Sequence, residues 1–70
     1  MMALALKVNG TPEDHAVFTV ADLLRAKGLD PERKGIAVAV NGAVVPRRTW
    51  GEVALAAGDA VEIIEAKQGG

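Results

Sequence analysis

Phe18-Thr19-Val20-Ala21-Asp22-Leu23-Leu24-Arg25-Ala26-Lys27-Gly28 carries the clearest local signal in this 70-residue chain. Thr19 is suited to cap a helix that begins at Val20, and Asp22, at the third helical position, completes a variant of the capping box. Phe18 and Leu23 then take the two positions of a hydrophobic staple. Val20, Leu23, Leu24 and Lys27 recur at the i, i+3, i+4, i+7 spacing, with the aliphatic stem of Lys27 able to cover the stripe's end. Gly28 stands where a left-handed residue stops a helix, and Asp30-Pro31 opposes its continuation. The reading is one short helix with one apolar stripe.

Upstream, Met2, Leu4, Leu6 and Val8 alternate with Ala3, Ala5 and Lys7, the period of a half-buried strand. Asn9-Gly10 then signals a type I′ hairpin turn. The return strand, Thr11 to about Ala16, contains Pro12, which cannot donate a ladder hydrogen bond and so belongs at a sheet edge. Downstream, Gly35 to Val40 reads as a strand with Ile36, Val38 and Val40 on one face. Asn41-Gly42 turns the chain into Ala43-Val44-Val45, and Pro46 ends that strand. Arg47 to Gly51 reads as a turn or a single helical turn, and Gly58-Asp59 as a further turn. The last strand is Ala60 to about Ala66.

A single helix with one stripe must cover one face of a single mixed sheet of about five strands, which makes the chain α+β. Ile36, Val38, Val40, Val61, Ile63 and the even-numbered residues of the first strand belong under the helix. The opposite face then shows Ala3, Ala5, Ala37, Ala39, Ile64 and Ala66, with no helix left to cover it. Small apolar residues on an open face are either tolerated surface or a smooth docking surface. Ile64 is harder to explain as tolerated surface than the alanines are. Ala37, Ala39, Ile64 and Ala66 are therefore the candidate docking residues.

Composition narrows the function. The chain makes one small domain, which at this size buries only about 60% of its unfolded surface. It has no cysteine, and Phe18 and Trp50 are its only aromatic residues, so alanine and valine carry much of the packing. Trp50 reads as packing. The net charge of −1 with interspersed signs argues against nucleic-acid binding. Lys7 interrupts the apolar opening after six residues, too soon for a signal peptide or a membrane span. A soluble, cytoplasmic protein is expected. His15 stands without a second His or any Cys, and is expected to be a solvated side chain rather than a metal ligand. No nucleophile–base pair or phosphate-binding loop points to an enzyme. Arg47 and Arg48 read as solvated charges.

The chain closes with Glu65-Ala66-Lys67-Gln68-Gly69-Gly70. Residues 1–66 are expected to form the domain and 67–70 a flexible tail. Gln68, Gly69 and Gly70 would make a thin arm that passes through a narrow channel, because glycine has no Cβ. An α-carboxyl group with a pKa of about 3.3–3.7 is ionised at neutral pH and can act as a nucleophile.

Taken together, Val8-Asn9-Gly10, Thr19 to Leu24, Ala37 to Gly42, Val44-Val45-Pro46-Arg47 with Trp50, Gly58 to Ile63 and the closing Gly69-Gly70 resemble the ubiquitin-like sulfur carriers of the β-grasp fold, the ThiS/MoaD family, and most closely its ThiS branch. One departure is Phe18, where the family often has a small turn residue. The resemblance implies a carrier that is a substrate rather than a catalyst, with sulfur attached at Gly70. A ThiF-like adenylyltransferase would use MgATP to activate the terminal carboxylate, so the carrier itself binds no cofactor or metal. A persulfide donor would supply sulfur, leaving a C-terminal thiocarboxylate that the thiazole synthase ThiG uses to build the thiazole of thiamine. Three alternatives stay open. One is a MoaD-type or other carrier, for molybdopterin, amino-acid or tRNA thiolation. Another is a protein modifier with acceptor lysines such as Lys27 or Lys34. The third is a plain interaction module in which the Gly69-Gly70 tail plays no part.

Overall fold

The computed structural model describes residues 3–66. Strand β1 (Leu4–Val8) turns at Asn9-Gly10 into β2 (Thr11–His15), and helix α1 (Val20–Ala26) follows. Next come β3 (Ile36–Val40), β4 (Ala43–Val44), a 3-10 turn (Arg47–Thr49) and β5 (Ala60–Glu65). The five strands form one sheet in the order β2-β1-β5-β3-β4. The central strand β5 runs parallel to β1, and the other neighbours are antiparallel. Pro12 lies opposite Lys7 on the edge strand β2, where its missing N–H costs no ladder bond. One helix over this mixed sheet is the α+β, β-grasp arrangement expected.

Local chemistry sets the helix. Thr19 Oγ1 accepts the Asp22 N–H at 3.2 Å, and the Asp22 carboxylate accepts the N–H groups of Phe18 and Thr19 at 3.2 and 3.1 Å. Those two donors, Phe18 first, hold the Asp22 carboxyl below its usual range. The remaining N-terminal donors are also satisfied: Val20 bonds the Val53 carbonyl, Ala21 that of Trp50, and Leu23 that of Thr19. The staple expected between Phe18 and Leu23 is not the device used, because Phe18 is 64% exposed. Its carbonyl instead accepts the Leu55 N–H at 2.8 Å, so backbone bonds to residues 50–55 fix the helix entry.

Lys27 has a partner beyond the helix. Its Nζ meets both carboxylate oxygens of Glu13 at 2.8 Å, tying the helix end to β2. Glu13 Oε1 also lies 2.7 Å from His15 Nε2. These partners, Lys27 foremost, lower the Glu13 carboxyl from its ordinary value. His15 is correspondingly enclosed, with a side chain only 17% exposed, rather than solvated as expected.

Leu23, Leu24, Val8, Val20, Val38 and Val61 are the largest fully buried side chains, and Leu6, Ile36, Ile63 and Trp50 are among the others buried with them in one core. Leu4 and Val40 pack against it half-buried. Each such aliphatic side chain contributes about 1.5–3 kcal/mol on burial.

The parallel seam has a side-chain continuation. Its residue pairs are Lys7 with Ala60 and Val8 with Val61, after which β1 turns away with Asn9 at φ 51° and Gly10 at φ 83°. The Asn9 backbone N–H still reaches the Val61 carbonyl at 2.9 Å. Its side-chain amide then takes the place of the next strand residue: Oδ1 accepts the Ile63 N–H at 2.7 Å and Nδ2 donates to the Ile63 carbonyl at 3.1 Å. Asn9→Ala removes both bonds and puts a Cβ without local polar compensation at positive φ. The expected loss is about 2–3 kcal/mol, from bonds worth about 1 kcal/mol each and a left-handed penalty of about 1 kcal/mol. Urea unfolding measures it; a loss under about 0.5 kcal/mol would mean the amide bonds do not support the seam.

Candidate docking face and the root of the C-terminal segment

Alternation along the strands sends Ile36, Val38, Val61 and Ile63 toward the helix and leaves Ala37, Ala39, Glu62 and Ile64 on the other face. Register brings the latter together: Ala37 lies opposite Ile64, and Ala39 opposite Glu62 on one side and Val44 on the other. Ile64 is 63% exposed and Val44 78%. Ala37, Val38, Ala39, Val44, Glu62 and Ile64 line a shallow depression on this open face. Ala66, two residues beyond Ile64, is also exposed, so the apolar strip runs from Val44 to the end of the described chain. The other half of the face is mixed, with Ala5 and Lys7 exposed on β1 opposite Asp14 and Pro12 on β2.

Of the four residues named from the sequence, Ala37, Ala39 and Ile64 thus line one depression, and Ala66 is exposed beyond its end. Val44 was missed, although the two-residue turn at Asn41-Gly42 carries its signal. Such a turn sets Val40 against Ala43, and therefore Val44 against Ala39, on the open face. Gln68, Gly69 and Gly70 lie outside the described residues.

The chain at Ala66 is held from one side. Ile36 pairs with Glu65, and the Ala66 N–H donates to the Gly35 carbonyl at 2.7 Å. Gly35 has φ +87°, a conformation that favours glycine, and a Cβ there would come into contact with the Ala66 oxygen at 3.4 Å. Arg33 Nη2 reaches Glu65 Oε1 at 2.6 Å. Both partners are about half exposed, which limits the pair to about 0–1 kcal/mol.

Arg47 is exposed, as expected of a solvated charge, but its guanidinium has partners within the chain. Its Nη1 donates to the Pro31 carbonyl and its Nη2 to that of Arg33, the latter at 2.7 Å. Its guanidinium carbon lies 4.6 Å from the centre of the Trp50 ring. Trp50 is buried, and its Nε1–H donates to the Val45 carbonyl at 2.8 Å. Among the described residues, no group of three or more His, Cys, Asp or Glu is placed to hold a metal ion, and no charged or polar side chain is buried. No described helix is long and apolar enough to cross a membrane.

The sequence profile of the ThiS family matches residues 5–70. Among curated proteins, none matches the chain. Among solved structures, the chain is similar to the crystal structure of a thiamine biosynthesis protein (ThiS) from Geobacter metallireducens. The two share 30% identity at a TM-score of 0.78, over 96% of this chain and 100% of that one. It is also similar to the NMR solution structure of a thiamine biosynthesis protein from the same organism, at 33% identity and a TM-score of 0.78, over 96% of this chain and 88% of that one.

Proposed function

The chain belongs to the ThiS family, and on that ground we propose that it is a sulfur carrier of thiamine thiazole biosynthesis, acting as a co-substrate rather than a catalyst. The observation that carries this reading is the family match, which runs through Gly69-Gly70. It favours the thiazole pathway over molybdopterin synthesis or another thiolation.

In the proposed reaction a Gly70 carboxylate oxygen attacks the α-phosphorus of MgATP in a ThiF-like adenylyltransferase and releases pyrophosphate. A carboxylate is a poor electrophile, and the acyl-adenylate supplies AMP as a leaving group. The outer sulfur of a persulfide then attacks the acyl carbon, AMP departs, and a second thiol cleaves the remaining sulfur–sulfur bond. The thiocarboxylate on Gly70 passes its sulfur to a ThiG-like thiazole synthase. Gln68, Gly69 and Gly70 enter each active site in turn, at an ordering cost of about 1–2 kcal/mol per residue fixed. Docking of the strip from Val44 through Ala37, Ala39 and Ile64 to Ala66 offsets that cost.

Intact mass before and after incubation with MgATP, the adenylyltransferase and a sulfur donor tests the reading. A gain matching one oxygen replaced by sulfur, localised to Gly70, is expected; an unchanged mass with active partners would refute it. The docking strip has its own test. Ile64→Asp alters an exposed side chain, so stability should stay within about 0.5 kcal/mol. A charge in an apolar contact should weaken partner binding about 5- to 150-fold, from about 1–3 kcal/mol of unpaired polar burial. Equal partner affinity in the folded variant would remove this strip from the interface.

A further inference from the structure

The Val45-Pro46-Arg47 and Trp50 motif has no part in the sulfur chemistry described above, yet its side chains lead toward the C-terminal segment. On the β1 side, the bonds to β5 end with Asn9 at Ile63. Beyond that point, among the described residues, the bonds come from β3 and from the loop that precedes it. Gly35 holds the Ala66 N–H, and Arg33 holds the Glu65 carboxylate. That loop, residues 27–35, has no regular structure of its own apart from turns. Its Pro31 and Arg33 carbonyls are gripped by the two ends of the Arg47 guanidinium, which rests on Trp50. Trp50 is in turn fixed by burial and by its bond to Val45. A planar fork suits two carbonyls at once, whereas a lysine ammonium is a single point charge without that geometry.

We propose that Arg47 is a positioning residue for the carrier's C-terminal segment. By fixing the Pro31 and Arg33 carbonyls it sets where Arg33 and Gly35 hold Glu65 and Ala66, and so the place and direction of the chain from which residues 67–70 follow. This rests on the carrier reading, because it is the delivery of Gly70 that the clamp serves. A carrier whose segment starts from a fixed root enters a partner's site with less backbone left to order.

The test uses the full chain and three variants: Arg47→Ala, Arg47→Lys and, as a control for stability, Val20→Ala in the core under the helix. Adenylation is followed with the carrier as varied substrate, and native-state amide exchange is followed at Ala66. Arg47→Ala should raise KM about tenfold at unchanged kcat, the equivalent of fixing about one more backbone residue on binding. Ala66 exchange should accelerate by a similar factor. Arg47→Lys should fall between it and the wild type, and Val20→Ala should move neither readout. Should Arg47→Ala fail to fold, Arg33→Ala carries the test, because it removes the Glu65 contact and leaves Arg47 on Trp50; a threefold or larger rise in KM is then expected. Unchanged KM and unchanged Ala66 exchange in a folded variant overturn the proposal, as does an equal rise in KM for Val20→Ala. If the wild-type chain is never adenylated by an active partner, the carrier reading fails, and Ala66 exchange still decides whether the clamp orders the root.

Discussion

Trp50→Ala should lower the stability of the protein by about 3–5 kcal/mol at 25 °C. The indole is 3% exposed, and replacing a buried Trp or Phe by Ala costs about 3–5 kcal/mol. A domain of this size has a total stability of about 4–10 kcal/mol, so one substitution removes a third of it or more. The loss has three parts. A cavity opens in the core, the Val45 carbonyl loses its Nε1–H donor, and Arg47 loses the ring beneath its guanidinium. Trp50→Phe separates them, since it retains an aromatic ring but no donor, and should cost about 1–3 kcal/mol. Trp50 is the only tryptophan, so urea unfolding of these variants is followed by circular dichroism rather than fluorescence. A Trp50→Ala chain within about 1 kcal/mol of the wild type would show that the 45–50 segment is not part of the cooperative core.

Deleting Gly70 should have the opposite profile, with full stability and almost no sulfur loading. The shortened chain still ends in a carboxylate, but its reacting carbon is displaced by one residue, about 3.3–3.8 Å. Misplacement of about 1 Å can cost a hundredfold in rate, so the adenylation rate should fall at least a hundredfold. Release of pyrophosphate by the adenylyltransferase measures it. Gly69→Val keeps the length and adds bulk, and distinguishes a demand for reach from a demand for slenderness. Loading of the shortened chain at the wild-type rate would mean that Gly70 does not carry the reacting carbon.

Features read from the sequence and found in the structure are mostly those decided by near neighbours. The capping box at Thr19 and Asp22, the helix limits and the two Asn-Gly turns depend on residues within a few positions of each other. Pro12 marked an edge strand because a missing donor has one consequence wherever the chain goes. The open apolar strip was legible because strand alternation and an open face follow from one helix and one sheet. Features that were missed depend on distant partners. Asn9 meets Ile63 across 54 positions, Lys27 meets Glu13 across 14, and Arg47 meets Pro31 and Arg33 across 16 and 14. A charged side chain reads as solvated until its carbonyl or carboxylate partner is in place. Phe18 failed for a related reason: residues 50–55 supply the bonds that made a staple unnecessary.

The strand order carries a consequence for how the protein is made. Apart from β5, β1 pairs only with β2, and β3 only with β4. The element that joins these two hairpins is the last in chain order. A ribosome therefore releases two separate hairpins and a short helix before the strand that unites them, and residues such as Lys7 must wait for Ala60. Such distant pairing is slow to form and leaves apolar faces open meanwhile. Folding is thus confined to the period after synthesis of β5. A chain cut short before Ala60 has no sheet to complete, and its exposed hairpins are substrates for proteolytic clearance.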